Sequence, residues 1–215
     1  MRLIHSLAVL ALIGATTVPA LALQEAPSLP GTMDVSRVAA GTYTTDPGHT
    51  LVGWRVNHFG FNDYFGTFGD AEGTLTIDPA DPASAKVDVT VPITSVAVAS
   101  EGLRNHLLRP GKDGGDPDFF GAEPAPARFV SDSVTVYGDG TKAIVSGDLT
   151  INGQTKPATI EARFTGAGNN PMNKALTVGF EGTMEINRSD FGIGYALPVV
   201  GDKVTLSISA AFEKQ

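Results

Sequence analysis

The sequence predicts an all-β protein, an eight-stranded antiparallel up-and-down barrel with a short helical insert between its third and fourth strands. Three observations favour this fold class. Apolar and polar residues alternate with a period of two in eight segments, which is typical of strands with one buried face. Most links between these segments are short, so consecutive strands are expected to be neighbours. The apolar faces are also rich in small residues, which leave room inside a barrel: Gly73, Ala143, Gly147, Ala158, Ala162, Gly182 and Ala210.

The first predicted strand, Leu51 to His58, contains the single tryptophan of the chain. One face of this strand is nearly apolar and consists of Val52, Trp54, Val56 and His58. Seven further alternating segments follow, at 69–78, 86–93, 130–136, 143–151, 158–164, 176–186 and 203–212. Asn152 and Gly153, between the fifth and sixth predicted strands, predict a tight hairpin turn because both residues tolerate a positive φ.

Residues 100–120 interrupt the alternation and predict the helical insert. Leu103 and Leu107 are four positions apart, a spacing that places them on one face of a short helix, which the following Pro-Gly pair would end. The polar run 111–118 is expected to be a loop. After it, Phe119–Phe120 would return the chain to the core.

Five aromatic rings are concentrated in one segment with two glycines: Phe59, Phe61, Tyr64, Phe65 and Phe68. As a loop from Phe59 to Phe68, the segment would form the rim and gate of a cavity that accepts apolar material. A hairpin that buries its rings explains the same pattern equally well. Ordinary loops are expected at Asp46–His49 and Gly194–Asp202.

The first 40 residues precede the alternating region and divide into two segments. Residues 1–22 have the pattern of a secretory signal peptide: Arg2, an apolar run, and Ala20-Leu21-Ala22, which predicts cleavage after Ala22. Residues 23–40 hold prolines and glycine among small and polar residues and are expected to be a linker or arm. The barrel domain then spans 41–215, and the exported protein is expected in the periplasm.

Composition argues against several function classes. The chain has no cysteine, so an exported fold must rest on its core rather than on disulfides. A net charge of −8 argues against nucleic acid as a partner and against docking on anionic lipid, and no stable membrane insertion is expected. His49, His58 and His106 show no metal-ligand spacing, and neither a nucleophile elbow nor a pair of carboxylates stands out. The sequence therefore predicts neither a metal site nor an enzyme.

Four short motifs follow one another along the chain. The first comprises Asp46, His49, Thr50, Val52, Trp54, Val56, His58, Gly60, Gly66 and Phe68, and the second comprises Arg104, His106, Leu107, Phe119, Phe120, Pro126 and Phe129. The third comprises Gly147, Leu149, Thr150, Ile151, Gly153, Thr155, Lys156 and Pro157, and the fourth is Asn187–Gly192. In these motifs the region 41–212 resembles the YceI-like family, lipocalin-like bacterial barrels that bind isoprenoids. It departs from the family at Asn152, where the family commonly has His, and in the run 108–117, which is longer than usual.

The resemblance implies a lipocalin-like barrel around an apolar tunnel for a polyisoprenoid, an isoprenoid quinone or a similar long amphiphile. It also implies non-catalytic binding by a periplasmic carrier or sequestering protein, with the lipid as partner and no cofactor besides a bound lipid or quinone. The residues expected to contact the ligand are Val52, Trp54, Val56, His58, Phe65, Phe68, Leu103, Leu107, Phe119, Phe120, Phe129, Leu149, Ile151, Phe180, Met184 and Phe191.

The sequence leaves two alternatives open. Alternation does not say whether the apolar face points in or out, so an integral outer-membrane barrel also fits the pattern. An enzyme that acts on an isoprenoid lipid fits as well, with His58 and His106 as its candidate catalytic groups. The identity of the lipid, the choice between transport, storage and sensing, and pairing as a homodimer stay open.

Overall fold

Within residues 28–215, ten β-strands form one antiparallel sheet that closes on itself as a barrel. In chain order they are β1 (Gly41–Thr45), β2 (Leu51–His58), β3 (Asn62–Phe68), β4 (Glu72–Ile77), β5 (Lys86–Val91), β6 (Ala127–Tyr137), β7 (Lys142–Ile151), β8 (Gln154–Asn169), β9 (Leu176–Asn187) and β10 (Val200–Lys214), with the α-helix α1 (Glu101–Leu107) between β5 and β6. This is a computed structural model that describes residues 28–215, so the predicted signal peptide, residues 1–22, lies outside the described residues.

The ten strands fill eight positions around the barrel. β1 and β2 follow one another along the same edge of β10: β1 pairs with Phe212–Lys214, and β2 pairs with Val200–Ser209. β3 and β4 repeat this arrangement, because β3 pairs with β2 and β4 pairs with β1. The predicted eight-stranded antiparallel barrel is therefore confirmed.

Residues 92–126, which we call the insert, complete the barrel wall beside β3. On the side away from β2, β3 meets the insert rather than a strand: Thr67 and Ala97 exchange two backbone hydrogen bonds of 3.0 and 2.8 Å. Within the insert, Ser100 caps α1, since its Oγ accepts a hydrogen bond from the Leu103 amide at 3.2 Å. The predicted helical insert is confirmed, and it is part of the wall.

The aromatic segment that follows β2 is a hairpin, and the expectation of a loop from Phe59 to Phe68 is corrected. Residues 59–61 alone form the turn, with Phe59 at a φ of 57°. Alternation along β3 directs Tyr64 and Phe68 inward and Phe65 outward. The period of two was hidden because aromatic residues occupy both faces of this strand.

The turns that the sequence predicted elsewhere are present. Asn152 and Gly153 have φ values of 50° and 71°, which are the two positive values that a tight hairpin needs. At Asp46–His49 the chain turns between β1 and β2, and the His49 amide donates to the Asp46 carbonyl at 3.2 Å. The loop before β10 ends earlier than expected, because β10 begins at Val200.

Apolar side chains point into the barrel, which answers the question that periodicity left open. On β10 the inward positions are Val204, Leu206, Ile208, Ala210 and Phe212. Lys203, Ser207 and Ser209 have the opposite parity and are exposed on the outer face. Within residues 28–215, the structure contains no helix that is both long and apolar enough to cross a membrane.

Packed side chains close one end of the barrel. Tyr43 and Val178 are fully buried there, and Phe164 and Phe212 pack against them. The described part of the arm lies against this end, where Thr32 forms a β-bridge with Ala167 of β8. The domain boundaries at residues 22 and 40 stay predictions.

Candidate ligand-binding cavity

The barrel encloses a cavity of about 740 Å³. Its wall is built mainly from the inward-facing apolar side chains of the strands and the insert, and Phe164, Phe180 and Phe212 line it next to the closed end. The opposite end, which we call the mouth, is bounded by His58, Phe59, His106, Tyr195 and Val199. The cavity also reaches the β6–β7 turn at Gly140 and Thr141.

All but two of the residues predicted from sequence to contact a ligand lie in the wall of this cavity. They are Val52, Trp54, Val56, His58, Phe68, Leu103, Leu107, Phe119, Phe120, Phe129, Leu149, Ile151, Phe180 and Met184. The structure therefore brings together residues from five strands and from the insert. Their contact with a ligand stays a prediction.

Phe65 and Phe191 do not line the cavity. Phe65 is 69% exposed on the outer face of β3, because it has the parity of Asp63 and Thr67. Phe191 is 2% exposed and packs into a core cluster with Phe129 and Ile193. The sequence predicts both residues as ligand contacts because they are aromatic. The alternation of β3 places Phe65 on the outer face, and tertiary packing buries Phe191 in the core.

Some cavity residues were missed by the sequence reasoning. Leu206 and Ile208 belong to the apolar face of the eighth predicted strand, so the alternation of that strand was enough to predict that they line the cavity. Tyr64 could be found once β3 was recognised as a strand. Arg188 lies in a short 3-10 helix (Arg188–Phe191) and Tyr195 in the loop that follows it, where the sequence shows no period of two.

Small residues shape the cavity only in part. Ala143, Ala162 and Gly182 are cross-strand neighbours on β7, β8 and β9, and all three line it. Gly73 and Gly147 have another role: a Cβ would lie 2.2 Å from the Asp88 carbonyl oxygen at the first and 2.1 Å from the Val130 carbonyl oxygen at the second. These two glycines permit close approach of neighbouring strands rather than leaving internal volume.

Three rings at the mouth connect the insert to the β9–β10 loop. His106 on α1 lies edge-on to Phe119 and to Tyr195, with ring centroids 5.0 and 5.1 Å apart, and Phe119 and Tyr195 are 5.4 Å apart. Edge-to-face pairs of this kind stabilise a contact beyond the area they bury. The three rings therefore fix the insert over the mouth.

An ionic cluster on the insert holds the His106 ring in place. His106 Nε2 lies 2.7 Å from Asp118 Oδ2, and Arg109 Nη2 donates to the same oxygen at 2.6 Å. The hydrogen bond from Arg109, and then that from His106, hold the pKa of the Asp118 carboxyl below its usual range. Asp118 therefore stays ionised and orients the His106 ring toward the mouth.

Arg188 is a buried charged residue in the cavity wall. It is 5% exposed, and its guanidinium donates to the carbonyls of Gly201 at 2.8 Å, Ile193 at 2.7 Å and Val200 at 2.9 Å. Burial lowers the pKa of Arg188, and the nearby charge of Asp202 opposes that effect. Arg188 thus fastens the β9–β10 loop to the start of β10.

Trp54 lies where β2, β3 and the insert meet. Its indole packs near Tyr64 at 6.2 Å between ring centroids, and its Nε1 is buried without a hydrogen-bond acceptor. A Cβ at Gly66 would lie 2.7 Å from Trp54 Cζ2 and 2.6 Å from Val98 Cγ1 of the insert. The indole edge therefore faces the junction with the insert, and only glycine fits at position 66.

The histidines of the described chain stand apart from one another. His49 pairs with Asp46, the His58 ring lies tilted against the Phe59 ring at 4.0 Å between centroids, and His106 contacts Asp118. No group of three His, Cys, Asp or Glu side chains within residues 28–215 is placed to hold a metal ion. The arrangement can enclose a long apolar chain and offer polar contacts at the mouth.

The sequence matches known proteins over most of its length. The model of the YceI-like domain family matches residues 43–212, which include all ten strands except the ends of β1 and β10. The chain belongs to the YceI-like family. This agrees with the four motifs, which lie within the YceI-like domain, and the predicted family membership is confirmed.

Individual YceI-like relatives are similar in sequence and in fold. Protein YceI of Escherichia coli O157:H7 is 39% identical over 162 residues, covering 75% of this chain and 80% of that protein. Burkholderia cenocepacia BcnA superposes with a TM-score of 0.63 at 22% identity, covering 78% of this chain and 98% of that one. A polyisoprenoid binding domain from Saccharophagus degradans superposes with a TM-score of 0.54 at 11% identity, covering 80% of this chain and 98% of that domain. The two structural similarities concern the fold.

Proposed function

We propose that this protein binds a long apolar lipid of the isoprenoid class inside its barrel and carries or sequesters that lipid in the periplasm. The observation that carries the proposal is the apolar cavity of about 740 Å³, which adjoins a packed core cluster at one end and is bounded by polar and aromatic groups at the other. Its volume is in the range of about 300–1,000 Å³ that is typical of ligand pockets. The binding of polyisoprenoid by the Saccharophagus degradans domain, which has the same fold, supports this ligand class.

The energetics favour binding without any catalytic group. Burial of ~600 Å² of prenyl surface would release roughly 15 kcal/mol at about 25 cal/mol per Å². Association and ordering of a flexible chain would offset much of this, which leaves an affinity between micromolar and nanomolar. In addition, the polar side chains at the mouth are engaged with one another: His106 and Arg109 both contact Asp118, and Arg188 binds backbone carbonyls. These contacts support a binding protein rather than an enzyme.

Native mass spectrometry of the protein isolated from its own periplasm tests the proposal directly. We expect a mass excess that dissociates as one lipid, and an isoprenoid in the organic extract of the same sample. A protein that carries no lipid, and that also takes up no polyprenol when the purified chain is incubated with it, would overturn the proposal.

A matched pair of variants links binding to the cavity. Ala162→Phe adds a ring to the inner face of β8, at the level where Ala143 and Gly182 leave room, and is expected to reduce polyprenol uptake at least tenfold. Glu161→Phe adds the same ring at the adjacent exposed position and is expected to leave uptake unchanged. Equal uptake by both variants would place the ligand elsewhere.

Export to the periplasm is part of this proposal and is supported by the signal-peptide pattern of residues 1–22. We expect the mature protein to begin at Leu23 and to be released by osmotic shock. Edman sequencing of the released protein checks the first point. Retention of residues 1–22, or recovery of the protein in the membrane pellet, would contradict it.

A further inference from the structure

Exposed apolar side chains surround the mouth of the cavity. They come from the β2–β3 turn and from the β9–β10 loop, and we call them the apolar rim: Phe59, Phe61, Tyr195 and Val199. Phe61 is the most exposed of them, at 88%. Exposed apolar side chains that stand together, rather than singly, mark surfaces that meet another apolar phase.

The apolar rim is held in place by its backbone. The Phe59 amide donates to the Val199 carbonyl at 2.8 Å, which joins the two segments that form the rim. Phe59 itself has a φ of 57°, an uncommon conformation for a bulky residue, and the Gly60 amide donates to Asn57 Oδ1 at 2.9 Å. The turn is therefore fixed so that Phe61 projects away from the barrel.

The apolar rim is continuous with the cavity wall. Phe59, Tyr195 and Val199 are exposed at the surface and also line the cavity. A phase that covers the rim would therefore also cover the mouth, and an apolar molecule could enter or leave without crossing water. A lipid bilayer would bury the apolar rim in its surface and would also supply the lipid that enters the cavity.

Two ion pairs flank the apolar rim. Next to the β2–β3 turn, Arg55 and Asp63 form an ion pair of 3.2 Å, and next to the ring cluster on the insert, Arg109 and Asp118 form one of 2.6 Å. The chain as a whole carries a net charge of −8. A nearly neutral rim on an acidic protein favours a zwitterionic lipid surface and disfavours an anionic one.

We propose that the apolar rim docks on the surface of a zwitterionic bilayer, with Phe61 inserted among the lipids and the mouth turned toward the hydrocarbon. This inference rests on the proposed lipid-binding function and names the source from which the cavity is filled. Because the rim is apolar and its flanking charges are paired, docking is expected to be insensitive to salt.

Flotation of the purified protein with phosphatidylcholine vesicles tests the docking itself. Phe61→Ser should weaken the vesicle partition coefficient about tenfold, which is the effect of removing one buried aromatic ring from the interface. Met172→Ser is the matched control, since Met172 is equally exposed, at 88%, but lies in the β8–β9 turn at the closed end. Partition that is equal for the native protein, Phe61→Ser and Met172→Ser, or a native protein that does not float, would overturn the inference.

A second measurement separates docking from ligand binding. Uptake of a radiolabelled polyprenol is followed from phosphatidylcholine vesicles and, in parallel, from a soluble cyclodextrin complex. Phe61 does not line the cavity, so Phe61→Ser should slow uptake from vesicles about tenfold and leave uptake from cyclodextrin unchanged. Equal slowing from both sources, or from neither, would overturn the docking inference. If no variant takes up polyprenol from either source, the proposed function fails, whereas the flotation result still decides whether the rim docks.

Discussion

Arg188 is the one buried charged side chain within residues 28–215, and its three hydrogen bonds explain why an arginine stands in the fourth motif. The planar guanidinium spans three carbonyls, one in the β9–β10 loop (Ile193) and two at the start of β10 (Val200 and Gly201). Ser189 adds a second attachment, because its amide and hydroxyl both donate to Asp202, at 2.9 and 2.7 Å. At the level of single residues, the motif therefore holds the loop that contributes Tyr195 to the mouth.

Arg188→Lys is expected to lower the free energy of unfolding by about 2–4 kcal/mol. A lysine keeps the charge but presents a single ammonium group, so at least one or two of the three buried carbonyls would lose their donor. Urea unfolding at neutral pH measures the change. Arg163→Lys is the control, because Arg163 forms an exposed pair with Glu181 and its replacement should cost less than about 0.5 kcal/mol. Equal losses in the two variants would contradict the role of Arg188.

At the level of elements, the sequence was informative wherever one face of a strand is apolar and the other polar. The inward faces of β9 and β10 were predicted correctly because Glu181, Glu185 and Lys203 mark the outward positions clearly. For β3 the sequence leaves a loop and a hairpin equally open, because Phe65 faces out and Gly66 faces in, which reverses the usual distribution of large apolar residues. The reason for Gly66 is a contact with Val98, more than thirty residues away, and no local pattern encodes it.

The insert is the element that the sequence described least completely. Leu103 and Leu107 predicted its helix, and the structure confirms it, but the ring contacts that place the helix depend on Tyr195, nearly ninety residues further along. Periodicity reports the face that a segment buries and not the partner against which it is buried. The mouth of the cavity is therefore the part of the candidate site that required the structure.

Asp118→Asn should loosen the insert in a pH-dependent manner. The pKa of Asp118 is lowered in the folded protein by Arg109 and His106, so its stabilising effect is complete above the unfolded carboxyl pKa of about 4 and is lost as the pH falls through the lower folded value. The difference in unfolding free energy between the native protein and Asp118→Asn should be constant above about pH 5 and should shrink below about pH 4. Urea titrations across this range measure the difference.

Asp116→Asn removes one negative charge from the same loop and is the control for that experiment. Asp116 is exposed, whereas Asp118 contacts both Arg109 and His106. A difference for Asp118→Asn that does not change between pH 3 and pH 7 would show that its contacts do not depend on ionisation.

At the level of the whole molecule, side-chain packing is dense at one end of the barrel and incomplete around the cavity. The closed end is packed around Tyr43 and Val178, which are fully buried, whereas the wall around the cavity surrounds about 740 Å³ in which side chains have no facing partners. Side chains that line a cavity lose the dispersion contacts that a packed core supplies. The protein therefore gains packing at the cavity only when an apolar molecule enters it.

This asymmetry predicts that a bound isoprenoid stabilises the entire barrel. Because the ligand would bind the folded state alone, a free concentration one hundred times the Kd should add about 2.7 kcal/mol to the free energy of unfolding. For a barrel of this size, that corresponds to a rise in Tm of about 5–10 °C. Calorimetry with and without polyprenol measures the rise, and Ala162→Phe, whose added ring takes up cavity volume, should show a much smaller one. A ligand-induced rise of the same size in Ala162→Phe would mean that the stabilising molecule binds outside the cavity.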